Sequence, residues 1–268
     1  MKHIVISMLF IASLYGQQDT FVLSFGSCHK HTKPTSNQIL EAIANEEPDL
    51  FIWLGDTVYG KDGDAEDLTT KYQQLKNKPS YQNLLQKSKV YAIWDDHDYG
   101  INNGDSSYQN KTKSLADFSA FANLENSEEI LQRGGAYQQY EYVENDTKIR
   151  FILLDNRFFR TPYLNEKIGG KTSETQGKLL GNQQWNWLTS ILKKSTADIH
   201  IFAGGIQFLS NEHRFEKWSN YPEERAAFLS LLKKNQVKNP IFLSGDRHHS
   251  ELSVLEDKDV VLADITSS

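Results

Sequence analysis

Four consecutive titratable side chains, Asp95-Asp96-His97-Asp98, follow the apolar run Val90-Tyr-Ala-Ile-Trp94. Such a cluster behind a buried strand is costly to fold unless something pairs it. One carboxylate on a metal ion, with His97 held by Asp98, meets that need and gives an oriented imidazole. That imidazole can bind a substrate or protonate a leaving oxygen. Gly55-Asp56-Thr-Val-Tyr59 adds an aspartate able to bridge two metal ions, and a phenol three residues later. In Gly245-Asp246-Arg-His248-His249, residues 246 and 248 alternate and point to one side of an extended chain. Cys28 is the single cysteine. Thiolate, phenolate and carboxylate from Cys28, Tyr59 and Asp56 place three negative charges around one ion, which favours ferric iron; ligand softness alone allows zinc at the thiol. Gln207 offers a neutral amide oxygen. If Asp56, Asp96, Gln207 and Asp246 surround a second ion, that shell is all oxygen, which suits Ca²⁺, with Mg²⁺ or Mn²⁺ next. Asp155-Asn-Arg157 supplies a guanidinium fork that matches phosphate oxygens, or alternatively a structural ion pair with Asp155.

These residues need a frame that brings them together. Six apolar runs end on them: Phe21–Phe25, Leu50–Leu54, Val90–Trp94, Ile149–Leu154, Ile199–Ala203 and Ile241–Ser244. Short apolar runs closed by glycine or aspartate read as buried strands, and chemistry gathers at strand ends. Helical stretches lie between them: Ser36–Asn45 with Asn37 as its cap, Leu68–Leu85, Leu115–Leu131, Gln183–Leu192 and Glu223–Lys234. The β–α–β–α order predicts an α/β layered domain. Lys61–Asp67, Gly100–Lys113 and Thr161–Glu174 read as rim loops of the site. Asp259–Thr266 reads as another strand, and the chain stops just after it, so the C-terminal part of the domain is expected to be missing.

Residues 1–16 have the form of a secretory leader: Lys2, then an apolar stretch Ile4–Leu14, then Gly16 before Gln17. This predicts export, to the periplasm or beyond, and a mature chain from residue 17. No other segment is apolar enough to span a membrane. The formal charge of −6 argues against a nucleic acid as preferred ligand, because an acidic chain repels the phosphate backbone. A small phosphate ester held by cations meets no such objection. An exported chain with a lone thiol has no internal disulfide; the thiol is expected to be oxidised, paired with another chain or occupied, and occupation by a metal also explains its place among the strand ends.

Together these motifs resemble the alkaline phosphatase D (PhoD-like) family of calcineurin-like metallophosphatases. The resemblance is carried by Gly26-Ser-Cys28, Gly55-Asp56-Thr-Val-Tyr59, Trp94-Asp95-Asp96-His97-Asp98, Leu154-Asp155-Asn-Arg157, Leu180–Leu188, Trp218–Arg225 and Gly245-Asp246-Arg-His248, in the family's order. It implies a four-layer αββα sandwich over residues 17–268 with a dinuclear centre at the strand ends. It further implies that Cys28, Asp56, Tyr59 and His248 hold iron, and that Asp56, Asp96 and Asp246 hold one or two calcium ions, with Gln207 where relatives carry histidine. His97 corresponds to the substrate-facing histidine and Asp98 to its carboxylate partner. The implied reaction is hydrolysis of a phosphate mono- or diester by a metal-activated hydroxide, with Arg157 as a cationic substrate contact. The alternatives are a phospholipase D-type phosphodiesterase and a catalytically silent metal- or phosphate-binding relative.

Overall fold

A computed structural model describes residues 20–163, 177–257 and 260–268. The leader-like residues 1–16 lie outside the described residues, as does most of the Thr161–Glu174 loop. The first half of the chain runs β1 (Leu23–Gly26), α1 (Pro34–Asn45), β2 (Leu50–Leu54), α2 (Ala65–Lys76), α3 (Pro79–Lys87), β3 (Lys89–Ile93), α4 (Asp96–Tyr99), α5 (Lys111–Ala122) and α6 (Ser127–Arg133). The second half runs β4 (Gln138–Glu144), β5 (Thr147–Leu153), α7 (Gly181–Lys193), β6 (Ile199–Gly204), a 3₁₀ turn at Trp218–Asn220, α8 (Pro222–Lys234), β7 (Pro240–Ser244), β8 (Glu251–Asp257) and β9 (Val260–Thr266).

The strands form two sheets. One is parallel, in the order β1-β2-β3. The other has the order β4-β5-β6-β7-β9-β8, parallel from β5 to β9 with an antiparallel strand at each edge. The two-residue period of a strand sorts its side chains between layers. Phe151, Leu153, Ile201, Ala203 and Leu243 join the core shared with β2 and β3, while Ile152, Phe202 and Phe242 join a second core with Leu188 and Leu192 of α7 and Phe228 and Leu232 of α8. Beyond the first sheet, Leu40 of α1, Tyr72 of α2, Leu84 of α3 and Phe118 of α5 close the other face. The result is helices, sheet, sheet, helices. β2 is buried at every position, as expected for a parallel strand covered on both faces. In the second core the Phe208 and Phe242 rings stack at 3.9 Å between centroids. Burying each such ring contributes about 1.5–3 kcal/mol, so the core is strong enough to hold strained loops at its edge.

Some boundaries differ from expectation. α1 begins at Pro34 with Lys33 before it, and Asn37 lies inside the helix. Proline suits the first helical position, where its missing N–H has no partner to lose. The 68–85 stretch is two helices, parted at Asn77–Lys78. β4 and β8 were not anticipated; each pairs antiparallel with its neighbour at a sheet edge. Among the described residues no helix is long and apolar enough to cross a membrane.

Candidate metal centre

The C-terminal ends of β1, β2, β3, β6 and β7 carry Cys28, Asp56, Asp95-Asp96, Gln207 and Asp246-Arg-His248 in that order. Four of the expected ligands sit on left-handed backbone: Cys28 at φ 54°, Asp56 at 51°, Asp246 at 66° and His248 at 55°. Non-glycine residues rarely adopt this region, and it persists where the surroundings over-determine it. These residues lie just past the ends of β1, β2 and β7, in the tight turns that carry the donors. Close packing completes the frame. A Cβ on Gly205 would fall 2.2 Å from Asp95 Cγ, so β6 can approach the β3 end only with glycine there.

The side chains converge in three overlapping groups. Donor atoms of Cys28, Asp56 and His248, of Asp56, Asp96 and His97, and of Asp95, Asp96 and Asp246 each lie within 4.8 Å of one another. Asp56 and Asp96 are the shared members. Asp56 Oδ2 accepts from the Cys28 thiol at 3.4 Å and from the Tyr59 hydroxyl at 3.1 Å, and the Tyr59 oxygen lies 3.4 Å from His248 Nε2. Thiol, phenol, carboxylate and imidazole thus meet around one point. Asp96 Oδ2 accepts from the Asn103 amide at 2.7 Å, while its Oδ1 is buried without a partner. Gln207 donates through Nε2 to Thr266 Oγ1 at 2.8 Å and to Glu251 Oε2 at 3.0 Å; its Oε1 is buried and unpartnered. An orphaned buried acceptor is rare, and these two are of the type that hard cations take.

Electrostatics point the same way. Burial, reinforced by Asp96 and Cys28, holds the Asp56 carboxyl well above the usual carboxylate range. Burial and the neighbouring acids do the same to Asp246. Burial raises Asp95 to about 7 despite the opposing pull of Arg157. Cys28 is pushed up by burial, and Tyr59 by burial with Asp56 and Cys28. For Asp96 burial works upward, but Arg157 and His97 outweigh it and lower the pKa. This many buried acids can all ionise only with added positive charge, which inverts the local pKa order. The donor set therefore fits metal ions.

Three expected partnerships are arranged differently. Asp98 does not hold His97: its oxygens accept from Thr57 N at 3.1 and 3.2 Å, Asp95 N at 3.2 Å and the Tyr72 hydroxyl at 3.1 Å. A carboxylate engaged by these donors fixes the β2 and β3 ends rather than orienting the imidazole. His97 is half-buried instead with its ring 4.3 Å from the Tyr59 ring, and its backbone N–H donates to Asp56 Oδ1 at 3.3 Å. Arg157 is fully buried. Its Nε donates to Asp95 Oδ1 at 2.5 Å and its Nη1 to Glu216 Oε2 at 2.6 Å. The guanidinium thus holds two acids inside the protein, while its Nη2 is buried without a partner. The alternative partner, Asp155, takes the Arg157 and Phe158 backbone amides, not the guanidinium.

Sequence reasoning missed Glu216, which is buried on the loop before the 3₁₀ turn and binds both Arg157 and Arg160. Arg160 in turn donates to the Asn103 carbonyl, and the Asn103 amide holds Asp96. A buried relay thus links Asp95 and Asp96 from behind. The signal was present in the arginine pair: two buried guanidinium groups require acids beyond Asp155. Other motif residues are props. Gln184 exchanges two hydrogen bonds with the Asp155 backbone at 2.8 and 2.9 Å. Glu224 caps the start of α7 through Leu179, Leu180 and Trp185.

Comparison with known proteins decides the family. The sequence model of PhoD-like phosphatases matches residues 23–267. The chain belongs to the PhoD-like phosphatase family. Alkaline phosphatase D of Bacillus subtilis (strain 168) is 24% identical over 275 aligned residues, covering 87% of this chain and 46% of that protein. The chain therefore spans about half the length of this curated relative. The solved structure of PhoD superposes with a TM-score of 0.68 at 20% identity, covering 92% of this chain and 56% of that one. A dimetal phosphatase from Danio rerio gives a TM-score of 0.55 at 14% identity, covering 92% and 86%. The phosphopantetheinyl hydrolase of Mycobacterium tuberculosis gives 0.51 at 11%, covering 91% and 88%. At such identities these likenesses bear on the fold alone, and they bear out the layered α/β architecture.

Proposed function

We propose that this PhoD-like chain is a secreted or periplasmic, metal-dependent phosphate ester hydrolase built on a dinuclear centre. One observation carries the reading: Asp56 and Asp96 are each shared between neighbouring groups of donor atoms, which supports two adjoining cation positions. Cys28, Asp56, Tyr59 and His248 would hold the first ion, and their three anionic donors suit ferric iron. Asp56, Asp96, Asp246 and the free Oε1 of Gln207 would hold the second, an all-oxygen set that suits calcium. When bound, such ions supply Lewis acidity, making a water more acidic and neutralising charge on phosphate oxygens.

The chain's own residues do the rest. Asp95, anchored by Arg157, keeps the β3 end in place behind Asp96. His97 stands at the edge of the centre, half-buried against Tyr59, where it can give a proton to a leaving alkoxide. No serine or threonine is needed as covalent nucleophile. Export rests on the leader-like residues 1–16. The substrate is a small mono- or diester, in keeping with the formal charge of −6, which disfavours polyanions.

Asp56→Asn tests the reading, since Asp56 serves both ion positions. In metal-replete protein its turnover of p-nitrophenyl phosphate and bis-p-nitrophenyl phosphate should fall by roughly a thousandfold or more. Near-normal turnover in the variant would refute the assignment. The ratio of the two wild-type rates separates monoesterase from diesterase.

A further inference from the structure

Beside the centre, the loop His213–Lys217 packs against the turn that follows β7. Arg247, between Asp246 and His248, places its guanidinium carbon 4.3 Å from the centroid of the Phe215 ring. On the other side, Lys217 Nζ donates to the Phe215 carbonyl at 3.1 Å. Lys217 is only 5% exposed. Yet among the described residues neither Lys217 nor Arg247 has a carboxylate partner, because the nearby acids are taken: Glu216 by Arg157 and Arg160, and Glu251 by His249, Gln207 and Ser253. Arg247 Nε is buried with no hydrogen-bond partner at all. Burial first, and then Arg247, pushes the Lys217 pKa down, as expected for two cations close together without a counter-charge. A buried ammonium in this state is expensive for the fold, and an incoming anion offsets the expense. Phe215 is 47% exposed at the mouth of this pair, an aromatic face fixed by the guanidinium.

We propose that Lys217 and Arg247 form a second anion subsite next to the metal centre, which takes a negatively charged group carried on the leaving group of the ester, with Phe215 flanking its carbon skeleton. The proposal rests on the hydrolase reading above and narrows it to phosphate esters bearing a second anionic group. The metal positions bind the scissile phosphate; Lys217 and Arg247 select what is attached to it.

The test compares ligands that differ by one carboxylate, on the full metal-loaded chain. Turnover is measured with phenyl phosphate and 4-carboxyphenyl phosphate, and binding by calorimetry with phenylphosphonate and 4-carboxyphenylphosphonate. The carboxylated member of each pair should be preferred by about tenfold or more, the worth of a charge-assisted hydrogen bond. Lys217→Gln should abolish that preference, and Lys217→Arg should retain it. Equal treatment of the two members by the wild-type protein would overturn the proposal without any variant, and so would a preference that survives in folded Lys217→Gln protein. If neither phosphate is hydrolysed but the phosphonate preference is present and depends on Lys217, the subsite stands and the hydrolase reading falls. Hydrolysis of both phosphates at equal efficiency, with equal phosphonate affinities, gives the reverse.

Discussion

Arg157→Gln separates two roles for this arginine. The substitution keeps most of the stem and removes the charge that joins Asp95, fully buried, to Glu216, 5% exposed. Both carboxylates would then lie buried with their main counter-ion gone, although Arg160 still reaches Glu216. Breaking a buried pair by removing one partner costs about 3–5 kcal/mol. For a domain of this size each kcal/mol shifts the midpoint by about 2–4 °C, so Tm should fall by roughly 6–20 °C. The assay is a thermal melt of the metal-loaded protein by circular dichroism, paired with Michaelis kinetics on p-nitrophenyl phosphate. The expected result is a large drop in Tm, with kcat lowered because Asp95 no longer fixes the turn that carries Asp96. Glu216→Gln should show the same signature in weaker form. If Tm stays within about 1 °C while KM rises tenfold or more, Arg157 touches substrate, and the reasoning from its burial is refuted.

Two further predictions follow from packing and burial. Gly205→Ala places a methyl 2.2 Å from Asp95 Cγ; overpacking of this kind costs about 1–3 kcal/mol, and displacement of Asp95 should lower turnover as well. Wild-type melting and kinetics in that variant would show that the β3 and β6 ends are not in contact. Tyr81, on α3 and 2% exposed in the first core, has its pKa raised by burial to about 12. A raised pKa means that the unfolded chain loses its proton first, so the stabilisation is complete below pH 10 and disappears as pH rises through 12; the amount is about 3 kcal/mol. Urea unfolding between pH 9 and 12 should show a smaller loss in Tyr81→Phe than in the wild type, and parallel curves would contradict the burial of the phenol.

The parallel strands were legible because each is an apolar run closed by a residue that cannot continue it. β4 and β8 were not, since edge strands with one face in solvent alternate polar and apolar residues and so resemble loop. The candidate metal donors were legible by type: Cys28, Asp56, Tyr59, Asp96 and Asp246 all arrive where the strand ends meet. Orientation was not. Sequence adjacency made Asp98 the natural partner of His97, but α4 is a single turn and carries Asp98 back onto Thr57 and Asp95 N, the geometry of a cap. The same limit applies to Arg157. A guanidinium after a strand fits phosphate and carboxylate equally well, and only the burial of Glu216, 59 residues later, decides between them.

The central claim is that side chains from five strand ends hold two different cations. Elemental analysis of the purified full chain, with an absorption spectrum of wild-type and Tyr59→Phe protein, tests it most directly. The account predicts one iron and one or two calcium ions per chain, and a visible charge-transfer band that disappears with the phenol. Protein that hydrolyses phosphate esters while carrying no iron, or with a band indifferent to Tyr59, would contradict it.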